Sequence, residues 1–246
     1  KNLKIDFNRF ESHDTGFACI EGQVYNGNQY YNARVGERNR FENLTISHNV
    51  FQSYDAGPAI NISASAVSSD PNEPPAQNNW LTNLTIENND IQIISSQGTP
   101  SGIRITAGQN FNEDQFTNSS YVDGLMMKNN RISYIGCFQE SWDKDPQKNL
   151  QVSYGAITLF GGETGIYNNH LTTTAIADGN YLKSVVIEGN VVKGAATSLF
   201  IVGGFGNNAT NNSVEVTLTN NIFTGEILSF DNAMNATGNH ITLTEQ

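Results

Sequence analysis

A few residues able to move protons or carry a localised charge stand beside one recurring phrase in this 246-residue chain. His13 and Asp14 precede TGFACIEG, Asp55 precedes AGPAINIS, and Glu163 follows YGAITLFGG. Arg104 sits inside a further copy, SGIRITAG, and Arg34, Arg38 and Arg40 lie between the first two copies. If these phrases occupy equivalent places, they gather an imidazole, three carboxylates and a set of guanidinium groups on one side of the molecule. A base beside a cation suits proton abstraction next to a carboxylate, because the cation neutralises the charge that develops. Two carboxylates about 5 to 9.5 Å apart suit acid and base work across a bond. A guanidinium also pairs with carboxylate or sulfate in a forked geometry, which points to an anionic ligand.

The elements that must position these residues show in the periodicity. The phrases alternate apolar and other residues with period two, the signature of strands with one buried face. With Ile60 and Ile103 inward, the outward row reads Asn61, Arg104, Thr158 and Phe200. An outward Arg104 is expected to be dispensable for the fold, since its side chain leaves the core.

A second phrase recurs more often. It reads NLKIDFNRF from Asn2, NLTISHNVF from Asn43, NLTIENNDI from Asn83 and GLMMKNNRI from Gly124. It continues as ETGIYNNHL from Glu163, SVVIEGNVV from Ser184, EVTLTNNIF from Glu215 and AMNATGNHI from Ala233. Its seventh position is always asparagine: Asn8, Asn49, Asn89, Asn130, Asn169, Asn190, Asn221 and Asn239. Its fourth and ninth positions are apolar. Asparagine tolerates the left-handed backbone of a tight turn, and stacked amides can bond to one another at the inter-strand spacing of about 4.8 Å. The predicted unit is therefore strand, asparagine turn, strand, turn, strand. Units stack in parallel into an all-β coil of about eight turns over residues 1–246, a single domain.

These phrases resemble the right-handed parallel β-helix family, which includes pectate lyases, other polysaccharide lyases, many glycoside hydrolases and phage tailspikes. The resemblance rests on NLTIxxN and its asparagine column and runs from residue 2 to 241. It implies an extracellular or cell-surface protein that binds a polysaccharide or glycoconjugate on the face of the TGFACIEG-type strands. It also implies calcium as the candidate cofactor, although no acidic cluster of the calcium-dependent pectate lyase type is evident and the metal ligands stay unassigned. Neither G-H-G with a D-D pair nor D-P-H-D occurs. Two functions stay open: an enzyme that cleaves a polysaccharide, as lyase or glycosidase, and a non-catalytic adhesin, tailspike segment or carbohydrate-binding stalk.

Composition sets the remaining bounds. A net charge of −11 disfavours nucleic acid, which requires an electropositive surface, and no apolar run is long enough to cross a bilayer. Residues between successive phrases read as loops walling a groove: VYNGNQYYNARVGERNRFE, SAVSSDPNEPPAQNNW, QNFNEDQFTNSSYVD and CFQESWDKDPQKNLQVS. Tyr31 and Trp142 in these walls, with Trp80 and Tyr121, offer flat faces to sugar rings, and Arg38, Asn61 and Thr158 offer polar contacts. The shortest repeat, Glu163 to Lys183, suggests a minimal coil of about 20 residues. Cys19 and Cys137 fall about three rungs apart, on the order of 14 Å, too far for a disulfide. Because NLKIDFNRF already begins at residue 2, an upstream domain or a partner chain is expected to cover the first coil, making this the C-terminal part of a longer chain.

Overall fold

The computed structural model describes residues 2–14, 18–26, 36–67, 75–95, 100–113, 115–136, 155–167, 170–171 and 173–246. Four parallel sheets run the length of the molecule, and the chain visits them in turn, so the fold is a parallel β-helix. Sheet I holds Leu3–Asp6, Arg40–Ser47, Trp80–Glu87, Tyr121–Lys128, Tyr181–Glu188, Ser213–Thr219 and His240–Glu245. Sheet II holds Arg9–His13, Val50–Tyr54, Asp90–Ile94, Arg131–Ile135, Val191–Lys193 and Ile222–Phe223. Sheet III holds Ile20–Asn26, Ile60–Val67, Ile103–Asn110, Ile157–Thr164, Thr197–Phe205 and Glu226–Ala233. Sheet IV is made of short strands: Gly36–Glu37, Ala76–Gln77, Phe116–Asn118, Ile176–Asp178 and Ala209–Thr210.

Three strands per turn were expected and four are found. Much of what reads in sequence as wall is stack. Phe116–Asn118 forms a sheet IV rung, and the sheet I strands begin upstream of NLTI, at Arg40, Trp80 and Tyr121. A left-handed residue inside each of these strands, Asn43, Asn83, Gly124 and Ser184, bends it into two short faces. The bend places successive apolar side chains of one strand on the same interior.

Register is kept through most rungs, as one buried face demands, and shifts only at Leu182–Val185 and Thr197–Leu199 among the described pairings. Ile60, Ile103, Ile157 and Leu199 align across sheet III, and Leu44, Leu84 and Leu125 with Ile46, Ile86 and Met127 align across sheet I. These side chains fill one continuous core along the axis. Each fully buried side chain of this size contributes about 1.5–3 kcal/mol. At the first coil the core is thinner. Leu3 is 48% exposed, and an open pocket lies among Leu3, Val24, Phe41, Leu44, Ile62 and Leu81.

Two asparagine ladders brace the corners. The first runs Asn8, Asn49, Asn89, Asn130, Asn190, Asn221, each amide donating to the next rung's Oδ1 where both are buried, as from Asn89 Nδ2 to Asn130 Oδ1 at 2.9 Å. The second, between sheets IV and I, runs Asn39, Asn79, Ser120, Asn180, Asn212, Asn239. Asn239 therefore belongs to the second column, not the first as its phrase suggests. Asn169 lies outside the described residues, and the first ladder passes directly from Asn130 to Asn190.

The Glu163 phrase is thus no coil. Its start, Glu163 and Thr164, ends a sheet III strand, and Ile166–Tyr167 then pairs antiparallel with His170–Leu171 as a small hairpin. Among the described residues sheet I has seven rungs, where the sequence holds eight copies of the phrase. The ladder spacings are 41, 40, 41, 60 and 31 residues, so no turn is as short as the expected 20.

The turn chemistry also shifts by one position. The left-handed backbone belongs to the residue before each ladder asparagine: Phe7, His48, Asn88, Asn129, Gly189 and Asn220 at one corner, Arg38, Asn78, Ser119, Gly179, Asn211 and Gly238 at the other. The asparagine itself turns inward and satisfies backbone groups. At the second corner the ladder amides press on sheet III, where a Cβ on Gly162 would stand 2.3 Å from Asn212 Cγ. Glycine there lets the strand and the ladder meet.

Candidate functional site

The outward face of sheet III carries the densest unusual chemistry among the described residues. Its first outward row is Glu21, Asn61, Arg104, Thr158, Phe200, in the register expected from the sequence. The next is Gln23, Ser63, Thr106, Phe160, Val202. After a corner, a further row holds Ala66, Gln109, Glu163 and Phe205. The face is polar on its early rungs and aromatic on its later ones. Phe160, Phe200, Val202, Phe205, Ala233 and Met234 form an apolar cluster outside the coil, separate from the main core.

Arg104 stands where the two halves meet. Its Nη2 donates to Glu163 Oε2 one rung along, and its guanidinium lies over the Phe160 ring, 5.3 Å from the centroid. Gln109 Nε2 donates to the same Glu163 oxygen at 3.2 Å. The side chains of Arg104 and Glu163 are only 11% and 3% exposed. The expectation of a solvated Arg104 on an open floor is therefore corrected. Aromatic residues beyond it shield the pair, and a desolvated guanidinium requires a desolvated partner.

Thr158 and Phe200 are corrected with it, since both are fully buried. Thr158 Oγ1 donates to the Gly155 carbonyl at 3.0 Å and shares a 2.8 Å hydrogen bond with Ser101, holding the turn that enters sheet III. Asn61 remains half-buried beside Arg104.

Other candidates serve corners. Asp14 and Asp55 carry left-handed backbones at the exit from sheet II, and Asp55 accepts from Ser95 Oγ at 3.0 Å. His13 stacks on Tyr54 with centroids 4.4 Å apart, and its Nε2 lies 2.8 Å from Glu11 Oε1. Arg38 is exposed on a left-handed turn, and Arg40 pairs with Glu42. Tyr31, Trp142, Arg34 and Cys137 lie outside the described residues.

Two wall aromatics prove to be rungs. Trp80 lies tilted against Tyr121 at 5.8 Å between centroids and Tyr121 stacks on Tyr181 at 4.8 Å, all on sheet I, so Tyr121 packs between its neighbours. Burial, with Tyr121 and Asp123 nearby, pushes the Tyr181 phenol above its usual range. Burial likewise pushes the Cys19 thiol up. Among the described residues, no three His, Cys, Asp or Glu side chains come close enough to hold a metal ion.

Sequence reasoning placed Arg104 and Glu163 in the same set without pairing them, and it missed Gln109 and Thr106. The signal available was the spacing itself: Arg104 and Glu163 fall at opposite ends of adjacent sheet III strands. Comparison of the chain with family models, with curated proteins and with solved structures found no match.

Proposed function

We propose that the protein binds an acidic polysaccharide along the outward face of sheet III and cleaves it by elimination. The observation that carries this reading is the convergence of Arg104 and Glu163 in one buried cluster. One carboxylate beside one guanidinium favours a lyase over a hydrolase, which needs a second carboxylate across the bond. In this reaction Arg104 exchanges Glu163 for the substrate carboxylate and lowers the cost of charge on the adjacent carbon. Glu163 takes the proton from that carbon, a double bond forms to the next carbon as its bond to the glycosidic oxygen breaks, and the departing oxygen takes a proton from water.

A second reading is favoured by the low exposure of the pair, 11% and 3%. In it the ion pair is a strut, and the β-helix is a non-catalytic carbohydrate-binding stalk.

The test is incubation with neutral, uronate and sulfated glycans while monitoring unsaturated products, reducing ends and binding. Unsaturated products that vanish in Glu163→Gln support the lyase. Reducing ends without unsaturation indicate a hydrolase, and binding without either indicates the stalk. A protein that engages none of the glycans refutes both readings.

A further inference from the structure

Next to the Arg104–Glu163 pair, three consecutive rungs of sheet III each leave a buried polar atom with no hydrogen-bond partner. They are Gln23 Oε1, Ser63 Oγ and Thr106 Oγ1. Gln23, Ser63 and Thr106 occupy one outward row in direct register. Ser63 and Thr106 are 3% and 1% exposed, while Gln23 is held through its Nε2, which donates to Glu21 at 2.9 Å. The row continues into Phe160 and Val202, so the unsatisfied atoms stop where the apolar cluster begins.

Such atoms are uncommon in folded proteins, and each costs the lost hydration of a polar group. Three in one line are harder to attribute to isolated packing accidents. Ser63 and Thr106 sit on neighbouring rungs about 4.8 Å apart without bonding each other, so both hydroxyls are left for an oxygen of a ligand, which reaches them once the side chains that cover them turn aside. Hydroxyls donate and accept, and an amide oxygen accepts, so the row matches ligand hydroxyl groups rather than carboxylates.

We propose that Gln23, Ser63 and Thr106 form a hydroxyl-recognising row that fixes the sugar ring while Arg104 addresses its acidic group. This rests on the function proposed above and divides the labour within that site. The row contributes to binding of neutral and acidic glycans alike, and Arg104 contributes the preference for acidic ones. A ligand oxygen in the row gains bonds that the unliganded protein lacks, so the row favours occupancy without strengthening the empty fold.

The experiment compares wild type, Ser63→Ala and Thr106→Val for melting temperature and for binding of uronate oligosaccharides and their neutral counterparts by calorimetry. The expected result is an unchanged or higher melting temperature with affinity about tenfold weaker for both glycan types. Unchanged affinity in both variants overturns the proposal. So does a lower melting temperature with unchanged affinity, which would mean that structural water occupies the row. If melting temperature and affinity fall together, Thr106→Ser decides: a restored hydroxyl that restores affinity supports the proposal, and one that does not overturns it. Wild type that binds no glycan overturns this proposal and the functional reading beneath it, whereas binding that the variants retain overturns this proposal alone.

Discussion

Asn130 donates its side-chain amide to Asn190 Oδ1 at 2.9 Å, across 60 residues of sequence but a single rung of the stack. That turn includes the small antiparallel pair of Ile166–Tyr167 with His170–Leu171, yet its ladder bond is as short as that of the rung before it. Asn130 also donates to the Ile86 carbonyl and accepts from both the backbone and side-chain nitrogens of Asn89.

Asn130→Ala should therefore destabilise the fold by about 2–3 kcal/mol, because it removes bonds and strands the buried donors of Asn89. Asn43→Gly is the control, since Asn43 has an exposed side chain and a left-handed backbone that glycine adopts freely; its cost should stay below about 1 kcal/mol. Equilibrium denaturation of the two variants measures the difference.

Arg104→Ala should not be neutral for the fold. Glu163 would keep a buried carboxylate with its cation gone, and breaking one half of such a pair costs about 3–5 kcal/mol. Replacing both partners by apolar residues of similar volume, as in Arg104→Met with Glu163→Leu, should recover most of that loss. Comparing the single and double variants by denaturation checks this, and full stability in Arg104→Ala would show the pair to be idle.

Glu113 links two stretches of chain through one oxygen. Its Oε2 accepts from the backbone nitrogens of Thr173 and Thr174 at 2.7 and 2.8 Å. Burial alone would raise its pKa, but these bonds and those from the two threonine hydroxyls outweigh burial and hold it below the usual glutamate value. A depressed folded-state pKa gives stability that is complete above the unfolded glutamate value and is lost as pH falls through the folded value. Melting temperature should thus decline on the acid side, and Glu113→Gln should flatten part of that decline. The same acid slope in both proteins would exclude Glu113 as a contributor.

Asp231 finishes the far end of sheet I. Its Oδ1 accepts from the Ile241 backbone nitrogen at 2.7 Å, and the adjacent Asn232 receives the last amide of the second ladder. Asp231→Ala should leave global stability within about 1 kcal/mol while speeding amide exchange at Ile241. Exchange at that amide, read residue by residue, tests whether the carboxylate protects it.

The coil was legible in the amino-acid pattern alone. Its phrases repeat because every rung presents the same inward positions, so Ile46, Ile86 and Met127 could be aligned without coordinates, as could the outward row from Asn61 to Phe200. The count of turns was less legible. ETGIYNNHL copies the letters of a rung but follows a sheet III strand directly, and only hydrogen-bonding partners reveal that it turns back as a hairpin. The second ladder was hidden because its column mixes Asn79 with Ser120 and Asn180, and the column becomes one object only when those residues stack. The candidate site depended on tertiary structure most of all. Alternation shows which side chains leave the core, but whether an outward residue meets water or another layer depends on what packs over it. That difference makes Arg104 half of a buried ion pair with Glu163 and leaves Thr158 sealed beneath the surface.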